Sequence, residues 1–339
     1  MTHTTRKRLL ALGVSLSVSL LLAELVVRLT FGSPLLERRP LMKMRANLQR
    51  GWEMVPGEVH YTYQHRVEVN SLGLRGPELG AKGAAGRRVL YLGDSLVYGQ
   101  GVADEETQPA ALERALRQCN PKIDWTVINA GHRSYGTAQE LALLSELGAR
   151  IQPDVVLLGW YWNDVDERDI AGTYARLADE GELYFDTGNR LLGRDLLSWR
   201  AKQLLRCSAL VMLLHDLLGP EGPPYAPDYL AKVWLRNERH LERLRVLCAG
   251  LGAQPVVVLI PDAQRIVGGT ATRAFDERMA ELARAQGLPL IELLPALEAS
   301  FARTHHLPVL PFDGHYDAEG NRAMAEHLAE RLLGLVRTE

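Results

Sequence analysis

Cysteine is scarce in this chain of 339 residues, which contains only three. Cys119, Cys207 and Cys248 lie far apart, and no cluster of histidines and cysteines has the ligand spacing of a zinc site. We therefore expect no bound metal ion. The odd and sparse set predicts buried structural thiols and leaves one disulfide bond open.

Nucleotide-binding loops, repeats and a charge imbalance are also missing. The chain has no Gly-x-x-x-x-Gly-Lys-Ser/Thr loop, and no Gly-x-Gly-x-x-Gly sequence opens a helix after a predicted strand, so we expect no cofactor. The net charge of -2 gives neither a basic footprint nor an acidic tail, so we expect no nucleic-acid partner. A hydrophobic content of 47% is ordinary for a globular protein.

A long apolar run occupies residues 9–27 and is interrupted only by serines and Glu24. As a helix, this run matches the hydrocarbon core of a bilayer, which is about 30 Å thick. It is longer than the apolar part of a typical signal peptide, and no convincing small-x-small cleavage site precedes Phe31. We interpret residues 1–31 as a short tip and an uncleaved signal anchor. The alternatives are a cleaved signal and a soluble amphipathic helix.

Basic residues indicate the direction of this anchor. The Arg-Lys-Arg sequence at residues 6–8 favours a cytoplasmic N-terminus and an exported domain. Basic residues on the other side of the run weaken this asymmetry; they are Arg28, Arg38, Arg39, Lys43 and Arg45.

From residue 87 onward, short β-branched runs alternate with helical patterns. The predicted strands are 88–92, 125–129, 155–160, 255–260 and 288–293. The predicted helices are 108–118, 138–147, 228–250, 272–286 and 318–336. This alternation predicts an α/β fold with a central parallel sheet between two helical layers, a three-layer α/β/α domain over residues 87–336.

Two segments do not follow this alternation. Residues 32–86 read as a linker and an irregular lead into the domain, with an edge strand or hairpin at 61–69. Residues 168–227 read as an insertion, with a hairpin at 181–192 and an amphipathic helix at 196–218. We interpret the insertion as a lid over the site or as a docking surface.

A serine follows the first predicted strand of the domain, in the sequence Gly93-Asp94-Ser95. By itself this tripeptide is typical of a turn in which Ser95 caps a helix. Three later segments lie just past strand ends or before the last helix: 128–131 with Gly131, 159–164 with Asn163, and 311–315 with Asp313 and His315. Since ligands bind beyond the carboxyl ends of parallel strands, we expect these segments to meet at one rim of the sheet.

The order of the four segments resembles that of the SGNH hydrolases, also called the GDSL family, over about residues 87–336. The anchor followed by the segment 70–76 is similar to the membrane-anchored bacterial members. The resemblance implies a flavodoxin-like domain with serine esterase activity. By contrast, no Gly-x-Ser-x-Gly elbow surrounds Ser95, which disfavours the α/β-hydrolase arrangement.

Ester hydrolysis by a serine explains these residue types. Ser95 is a poor nucleophile until a base takes its proton, and His315 is the candidate base. Asp313 is the nearest carboxylate in sequence that could orient the imidazole. The backbone N–H groups of Ser95 and Gly131 and the side-chain amide of Asn163 would form the oxyanion hole.

The acid departs from the family's usual Asp-x-x-His spacing. Asp313 precedes His315 by two residues, and Phe312 occupies the usual place. Some relatives have the shorter form, so we retain Asp313. If Asp313 faces away, the site is a Ser-His dyad or recruits another acid, for which Asp317 is the candidate.

Neighbouring residues have simpler interpretations as well. Trp160 and Trp162 flank the approach to Asn163 and are predicted to form a wall of the substrate cleft, with packing as the alternative. The pair 305–306 competes for the role of the catalytic histidine. Asp94 is expected to stabilise the turn and the helix start.

Together these observations predict an ester hydrolase that acts through an acyl-enzyme. The expected substrate is an O-acetyl or other short-chain acyl ester on a glycan or envelope molecule. One alternative is an O-acyltransferase with the same nucleophile. Another is a non-catalytic glycan-binding or assembly protein that retains the fold. We expect a single-pass protein of the bacterial inner membrane with a periplasmic domain, so the bilayer is a partner.

Overall fold

The computed structural model describes residues 3–165, 168–184, 198–218 and 225–335. Their contacts divide the chain into two compact units. The smaller unit is Met1–Glu37, Asp186–Glu221 and Leu310–Gly314. The larger unit is Arg38–Phe185, Gly222–Val309 and His315–Glu339.

The described residues contain short strands and helices of very different lengths. The strands are β1 Lys43–Asn47, β2 Gly51–Met54, β3 Val59–Thr62, β4 His65–Glu68, β5 Gly86–Gly93, β6 Asp124–Gly131, β7 Val155–Trp160, β8 Leu183–Tyr184, β9 Gln254–Leu259 and β10 Leu290–Glu292. The helices are α1 His3–Phe31, α2 Ser95–Tyr98, α3 Gln108–Cys119, α4 Thr137–Ile151, α5 Ile170–Glu180, α6 Trp199–Arg206, α7 Ala209–Leu218, α8 Pro227–Leu251, α9 Ala263–Ile266, α10 Arg273–Ala285, α11 Leu294–Thr304 and α12 Ala318–Leu335. Two 3-10 helices cover Asp104–Glu106 and Trp162–Val165.

The larger unit is built on a five-stranded parallel sheet in the order β10-β9-β7-β5-β6. Gly93 at the end of β5 lies level with Gly131 of β6 and with Gly159 of β7. The carboxyl ends of three neighbouring strands therefore meet at one level. Each predicted strand overlaps one strand of this sheet, and the predicted α/β fold is confirmed.

Side chains of β5 alternate between the two faces of the sheet. Leu90 and Leu92 belong to an apolar cluster with residues of α4, α8 and α10. Val89 and Tyr91 belong to a second cluster, with residues of α3, α11 and α12. Because both faces are buried, the strand appears in the sequence as a continuous apolar run.

Residues 38–86 are a folded part of the larger unit, not the linker that the sequence predicted. β1 and β2 pair antiparallel, and β3 and β4 form the predicted hairpin. Trp52, Met54 and Val67 are buried in the same cluster as Leu90. These strands are no longer than five residues, so their alternation is weak in the sequence.

Arg75 links this segment to the chain just after α2. Its guanidinium group donates hydrogen bonds to the carbonyl oxygens of Tyr98 at 2.9 Å, Gly99 at 2.6 Å and Val102 at 2.8 Å. It also pairs with Asp104 at 2.8 Å. Carbonyl groups at the end of a helix lack hydrogen-bond donors within the helix, and the Arg75 guanidinium group provides these donors here.

Two buried histidines lie in the same region. His60 shares a 2.6 Å hydrogen bond with the Tyr98 hydroxyl group. His132 stacks on Tyr135 with ring centroids 4.5 Å apart. Burial lowers the pKa of His60 to about 3 and the pKa of His132 to about 3, and nearby arginines act in the same direction.

Gly131, at the end of β6, lies tightly against the backbone of α2. A Cβ atom at this position would lie 2.1 Å from the backbone nitrogen of Tyr98 and 2.6 Å from its Cα. Since these are backbone atoms, no side-chain rotation makes room for it. A glycine is therefore required for this packing.

The smaller unit contains α1, α6 and α7. In the described residues, α1 is the only helix long and apolar enough to cross a membrane, from Thr4 to Phe31. A signal sequence meets the same criterion. The predicted helical stretch 196–218 contains α6 and α7, which are separate helices. The turn of the predicted hairpin at 181–192 lies outside the described residues, and β8 pairs with β1.

The three cysteines are free thiols. Only Cys248 is buried, whereas Cys119 and Cys207 are exposed. The prediction of buried thiols is therefore wrong for two of them.

Acidification should destabilise the fold through the buried histidines. The folded protein binds fewer protons than the unfolded chain, in which histidine has a pKa near 6.5, so stability is lost as the pH falls from about 6.5 toward 3. Each histidine should remove about 1.4 kcal/mol of unfolding free energy per pH unit in this window. Urea unfolding at several pH values gives the unfolding free energy, and the slope of this free energy against pH should be shallower in His60→Gln than in wild type. His305→Gln, at an exposed histidine, is the control, and an equal slope in His60→Gln and wild type would contradict the assignment.

Gly131→Ala should destabilise the protein by about 3 kcal/mol, because the added methyl group overlaps the backbone of Tyr98. Gly250→Ala is the matched control, since a Cβ atom there meets nothing within 4 Å. It lies in α8 and should be neutral or stabilising by up to about 1 kcal/mol. Chemical denaturation of both variants measures the difference, and equal midpoints would disprove the packing constraint.

Candidate active site

Ser95 is the first residue of α2, immediately beyond the end of β5. Asp94 precedes it as the N-cap residue, and its Oδ1 accepts a hydrogen bond from the Leu96 N–H at 2.8 Å. A Cβ atom at Gly93 would lie 2.3 Å from Val97, so the tight turn needs glycine there. The predicted strand–turn–helix arrangement places Ser95 at the rim of the sheet.

His315 lies next to Ser95 although the two residues are far apart in the sequence. The distance between His315 Nε2 and Ser95 Oγ is 2.7 Å. Tyr316 is buried and donates a hydrogen bond from its hydroxyl group to the Pro261 carbonyl at 2.6 Å, which holds the chain beside the site. The 2.7 Å distance between His315 Nε2 and Ser95 Oγ allows proton transfer from the serine hydroxyl group to the imidazole.

Asn163 approaches the same turn from the 3-10 helix after β7. Its Nδ2 donates a hydrogen bond to Asp94 Oδ2 at 3.2 Å. The amide group carries a second N–H, which this hydrogen bond does not use. The structure therefore brings Ser95, His315 and Asn163 to one rim, in agreement with the expected geometry.

Asp94 connects these residues rather than facing the solvent. Its side chain is buried, and burial raises the pKa of its carboxyl group, while the Leu96 N–H, His315 and Asn163 act in the opposite direction. With one oxygen capping α2 and the other accepting from Asn163, Asp94 stabilises the turn, as the sequence predicted.

Gly131 also lies at this rim, but its N–H already has an acceptor. It donates to the Asn129 side-chain oxygen at 3.0 Å. The next residue, His132, donates its N–H to the Gly93 carbonyl at 3.0 Å and extends the pairing of β5 and β6. Ser134 follows in the same loop, is exposed, and has a left-handed backbone with φ of 61°.

The two candidate acids lie in different local environments. Asp313 is half-buried in Leu310–Gly314 of the smaller unit, and its N–H donates to the Leu310 carbonyl at 3.3 Å. Asp317 accepts hydrogen bonds from the first amides of α12 through Oδ1, and its Oδ2 contacts His306 at 2.8 Å. Asp317 and His306 thus pair with each other.

Trp160 is not a wall of the cleft, which corrects the prediction. Its side chain is fully buried under one face of the sheet and packs on Trp234, with ring centroids 6.2 Å apart. Trp162 is only half-buried, and its indole N–H donates to Asp262 Oδ2 at 3.3 Å. Trp162 therefore retains access to the rim, and Trp160 does not.

Glu140 and Arg75 were not predicted from the sequence. Glu140 of α4 is fully buried, and neither carboxylate oxygen has a hydrogen-bond partner among the described residues. Burial raises the pKa of Glu140 well above its usual range, and the neighbouring Asp164 and Asp94 carboxylates add to this effect. A charged residue within the apolar pattern of α4 was the available signal. For Arg75 the available signal was its position in the segment 70–76, which is similar to a segment of the membrane-anchored bacterial members.

No group of metal-ligating side chains is found where the structure describes the chain. The reactive groups at the rim are a hydroxyl group, an imidazole and an amide. This set is suited to acyl transfer through the serine oxygen.

Several solved structures are similar to this chain at low identity. The structure of TesA is 17% identical with a TM-score of 0.45, and the match covers 74% of this chain and all (100%) of TesA. LAE5, an alpha/beta hydrolase enzyme from the metagenome of Lake Arreo, Spain, is 15% identical with a TM-score of 0.46 and coverages of 76% and 98%. The lipase/acylhydrolase from Enterococcus faecalis is 16% identical with a TM-score of 0.42 and coverages of 75% and 98%.

No curated protein matches the chain. The sequence profile of the GDSL-like lipase/acylhydrolase family matches residues 91–323, which is well over half of its length. The matched region begins in β5 just before Ser95 and extends past His315 into α12. The chain therefore belongs to the GDSL-like lipase/acylhydrolase family.

Proposed function

We propose that this protein is a serine ester hydrolase in which Ser95 is the nucleophile and His315 is the general base. The observation that carries the proposal is the 2.7 Å contact between Ser95 Oγ and His315 Nε2. As Ser95 attacks the acyl carbon, its proton passes to His315, which then gives it to the departing alcohol. Water, deprotonated by His315, releases the acid from the acyl-enzyme and restores the serine.

The negative charge of the tetrahedral intermediate needs donors that are already in place. The Ser95 N–H and the second N–H of Asn163 Nδ2 are supported by their positions at the turn. Gly131 is the third proposed donor. Its N–H would exchange the Asn129 oxygen for the substrate oxygen.

Asp313 is the proposed acid that orients His315. Support comes from the competing acid, because Asp317 is engaged by α12 and by His306. An acid that caps a helix cannot turn away without leaving amide groups unsatisfied. Asp313 is therefore the better candidate for fixing the imidazole tautomer.

The proposed substrate is an O-acetyl or short-chain acyl ester of a glycan or envelope molecule, with Trp162 as a cleft wall. We propose that α1 is retained as a single-pass anchor with the larger unit on the periplasmic side. Retention is supported by two contacts of α1: Glu24 accepts hydrogen bonds from the start of α7, and Phe31 packs on Phe312 with ring centroids 6.4 Å apart. Cleavage of α1 would remove both.

Ser95→Ala should reduce hydrolysis of p-nitrophenyl acetate by about a thousandfold or more, because the reaction loses its nucleophile. Release of p-nitrophenol by the detergent-solubilised chain measures the rate. Ser145→Ala, at an exposed serine of α4, is the matched control and should retain full activity. A serine-directed phosphonate should label wild type but not Ser95→Ala. An unchanged rate in pure Ser95→Ala would refute the proposal.

Asp313→Asn should lower kcat by about a thousandfold or more, since an amide stabilises the wrong imidazole tautomer. Asp317→Asn is the matched control, with the expected effect on stability rather than on kcat. Steady-state kinetics and thermal unfolding separate the two effects. A large loss of kcat in Asp317→Asn together with an active Asp313→Asn would assign the role to Asp317.

A further inference from the structure

Helix α7 presents an apolar stripe that the described protein leaves uncovered. The exposed fractions are 48% for Leu214, 71% for Leu217 and 84% for Leu218. Their spacing of three and four residues puts all three side chains on one helix face. Ala209 and Met212 are buried instead, so α7 has an inner face and an outer apolar face.

Glu24 fastens the start of α7 to α1. Glu24 Oε1 accepts a hydrogen bond from the Ala209 N–H at 2.8 Å, and Oε2 accepts from the Leu210 N–H at 2.9 Å. The Ser208 hydroxyl group donates to the same carboxylate at 2.7 Å. Glu24 thus supplies acceptors for the unpaired amides of the first turn of α7, and its negative charge complements the helix dipole.

Arg28 balances this carboxylate from one turn further along α1. Its Nε lies 2.7 Å from Glu24 Oε1, and it also donates to the Cys207 carbonyl. A second link joins α6 to the chain after α1, where the Glu37 N–H donates to Gln203 Oε1 at 3.1 Å. Glu24 is the one charged residue of the apolar run, and a carboxylate is unfavourable in a membrane-spanning segment. Its contacts with the start of α7 give it a role in packing that helix.

The position of Glu24 sets the depth of α7. If residues 9–27 span the hydrocarbon core, Glu24 lies about 5 Å inside its boundary, at a rise of about 1.5 Å per residue. The ten residues of α7 are about 15 Å long, half of the roughly 30 Å core, so α7 is too short to cross the bilayer. The first turn of α7, held at this level, lies near the boundary between headgroups and acyl chains.

We propose that α7 is a second, interfacial membrane contact, in which Leu214, Leu217 and Leu218 bury in the acyl chains of the leaflet at the C-terminal end of α1. The occupant is lipid because α7 packs on α1, whose own apolar window is only 6% buried and is proposed to lie in the bilayer. Asp216 lies outside the stripe, on the helix face that also carries Ala209 and Met212. The inference rests on the proposed insertion of α1 and is independent of catalysis.

The test uses the full chain with Cys119, Cys207 and Cys248 replaced by serine and one new cysteine per variant, labelled with the fluorophore NBD. The positions are Leu214→Cys, Leu217→Cys and Leu218→Cys. Leu16→Cys within α1 reports on the anchor, and Val246→Cys at an exposed site of α8 is the aqueous control. Each variant is reconstituted into phosphatidylcholine–phosphatidylglycerol vesicles that carry a spin label near the headgroup or near the chain end.

The spin label near the headgroup should quench the fluorescence of the three α7 positions. The spin label near the chain end should quench Leu16→Cys. Neither lipid label should quench Val246→Cys, which aqueous iodide should quench instead. Iodide quenching of the α7 positions with no loss to either lipid would overturn the α7 contact while Leu16→Cys confirms the anchor. If neither lipid spin label quenches Leu16→Cys, both the α1 anchor and the α7 contact are overturned. The α7 positions could also be protected from iodide without being quenched by either lipid label. If a higher lipid-to-protein ratio reverses this protection, a second copy of the chain covers the stripe, and the lipid contact of α7 is overturned.

Glu24→Ala in the Leu217→Cys background tests the fastening itself. Shallow quenching at 217 should decrease, while Glu24→Ala in the Leu16→Cys background should leave the deep quenching unchanged. Undiminished quenching at 217 would show that Glu24 does not hold α7 at the interface.

Discussion

The hydrogen bond between Ser95 and His315 joins residues that are 220 positions apart, and the rest of the larger unit keeps them together. Ser95 is held by the end of β5 and by the cap of Asp94. His315 is held by the chain around Tyr316, whose hydroxyl group bonds to Pro261 after β9. The bond therefore depends on the register of the parallel sheet, which brings the ends of its strands to one level.

Close packing around α2 is the second constraint. Gly131 lets the end of β6 approach the backbone of Tyr98, and Arg75 satisfies the carbonyl groups that follow. His60 bonds to the Tyr98 hydroxyl group from a third side. Residues 38–86 thus support the turn that carries Ser95, so the segment before the sheet helps to position this residue.

Much of the site could be predicted because polar residues at the ends of parallel strands meet at one rim. His315 lies between α11 and α12 and was identified by the order of the four segments, whereas Ser95 and Asn163 followed this rule. Trp160 did not, because β7 is buried on both faces and the sequence does not tell which side chains of such a strand face the cleft. The fold of residues 38–86 was missed for another reason: strands of four or five residues give too little alternation to be distinguished from a linker.

By itself, the sequence determined the alternation of strands and helices, the place of Ser95 after the first core strand, and the long apolar run near the N-terminus. These features depend on residues that are close in the chain, and their periodicity reports them directly. Only the tertiary structure decided that His315 rather than His306 meets Ser95, that His306 pairs with Asp317 instead, and that Glu24 caps α7. The bonds of His315 and Glu24 join segments far apart in the chain, so their partners are chosen by tertiary packing and no local pattern encodes that choice.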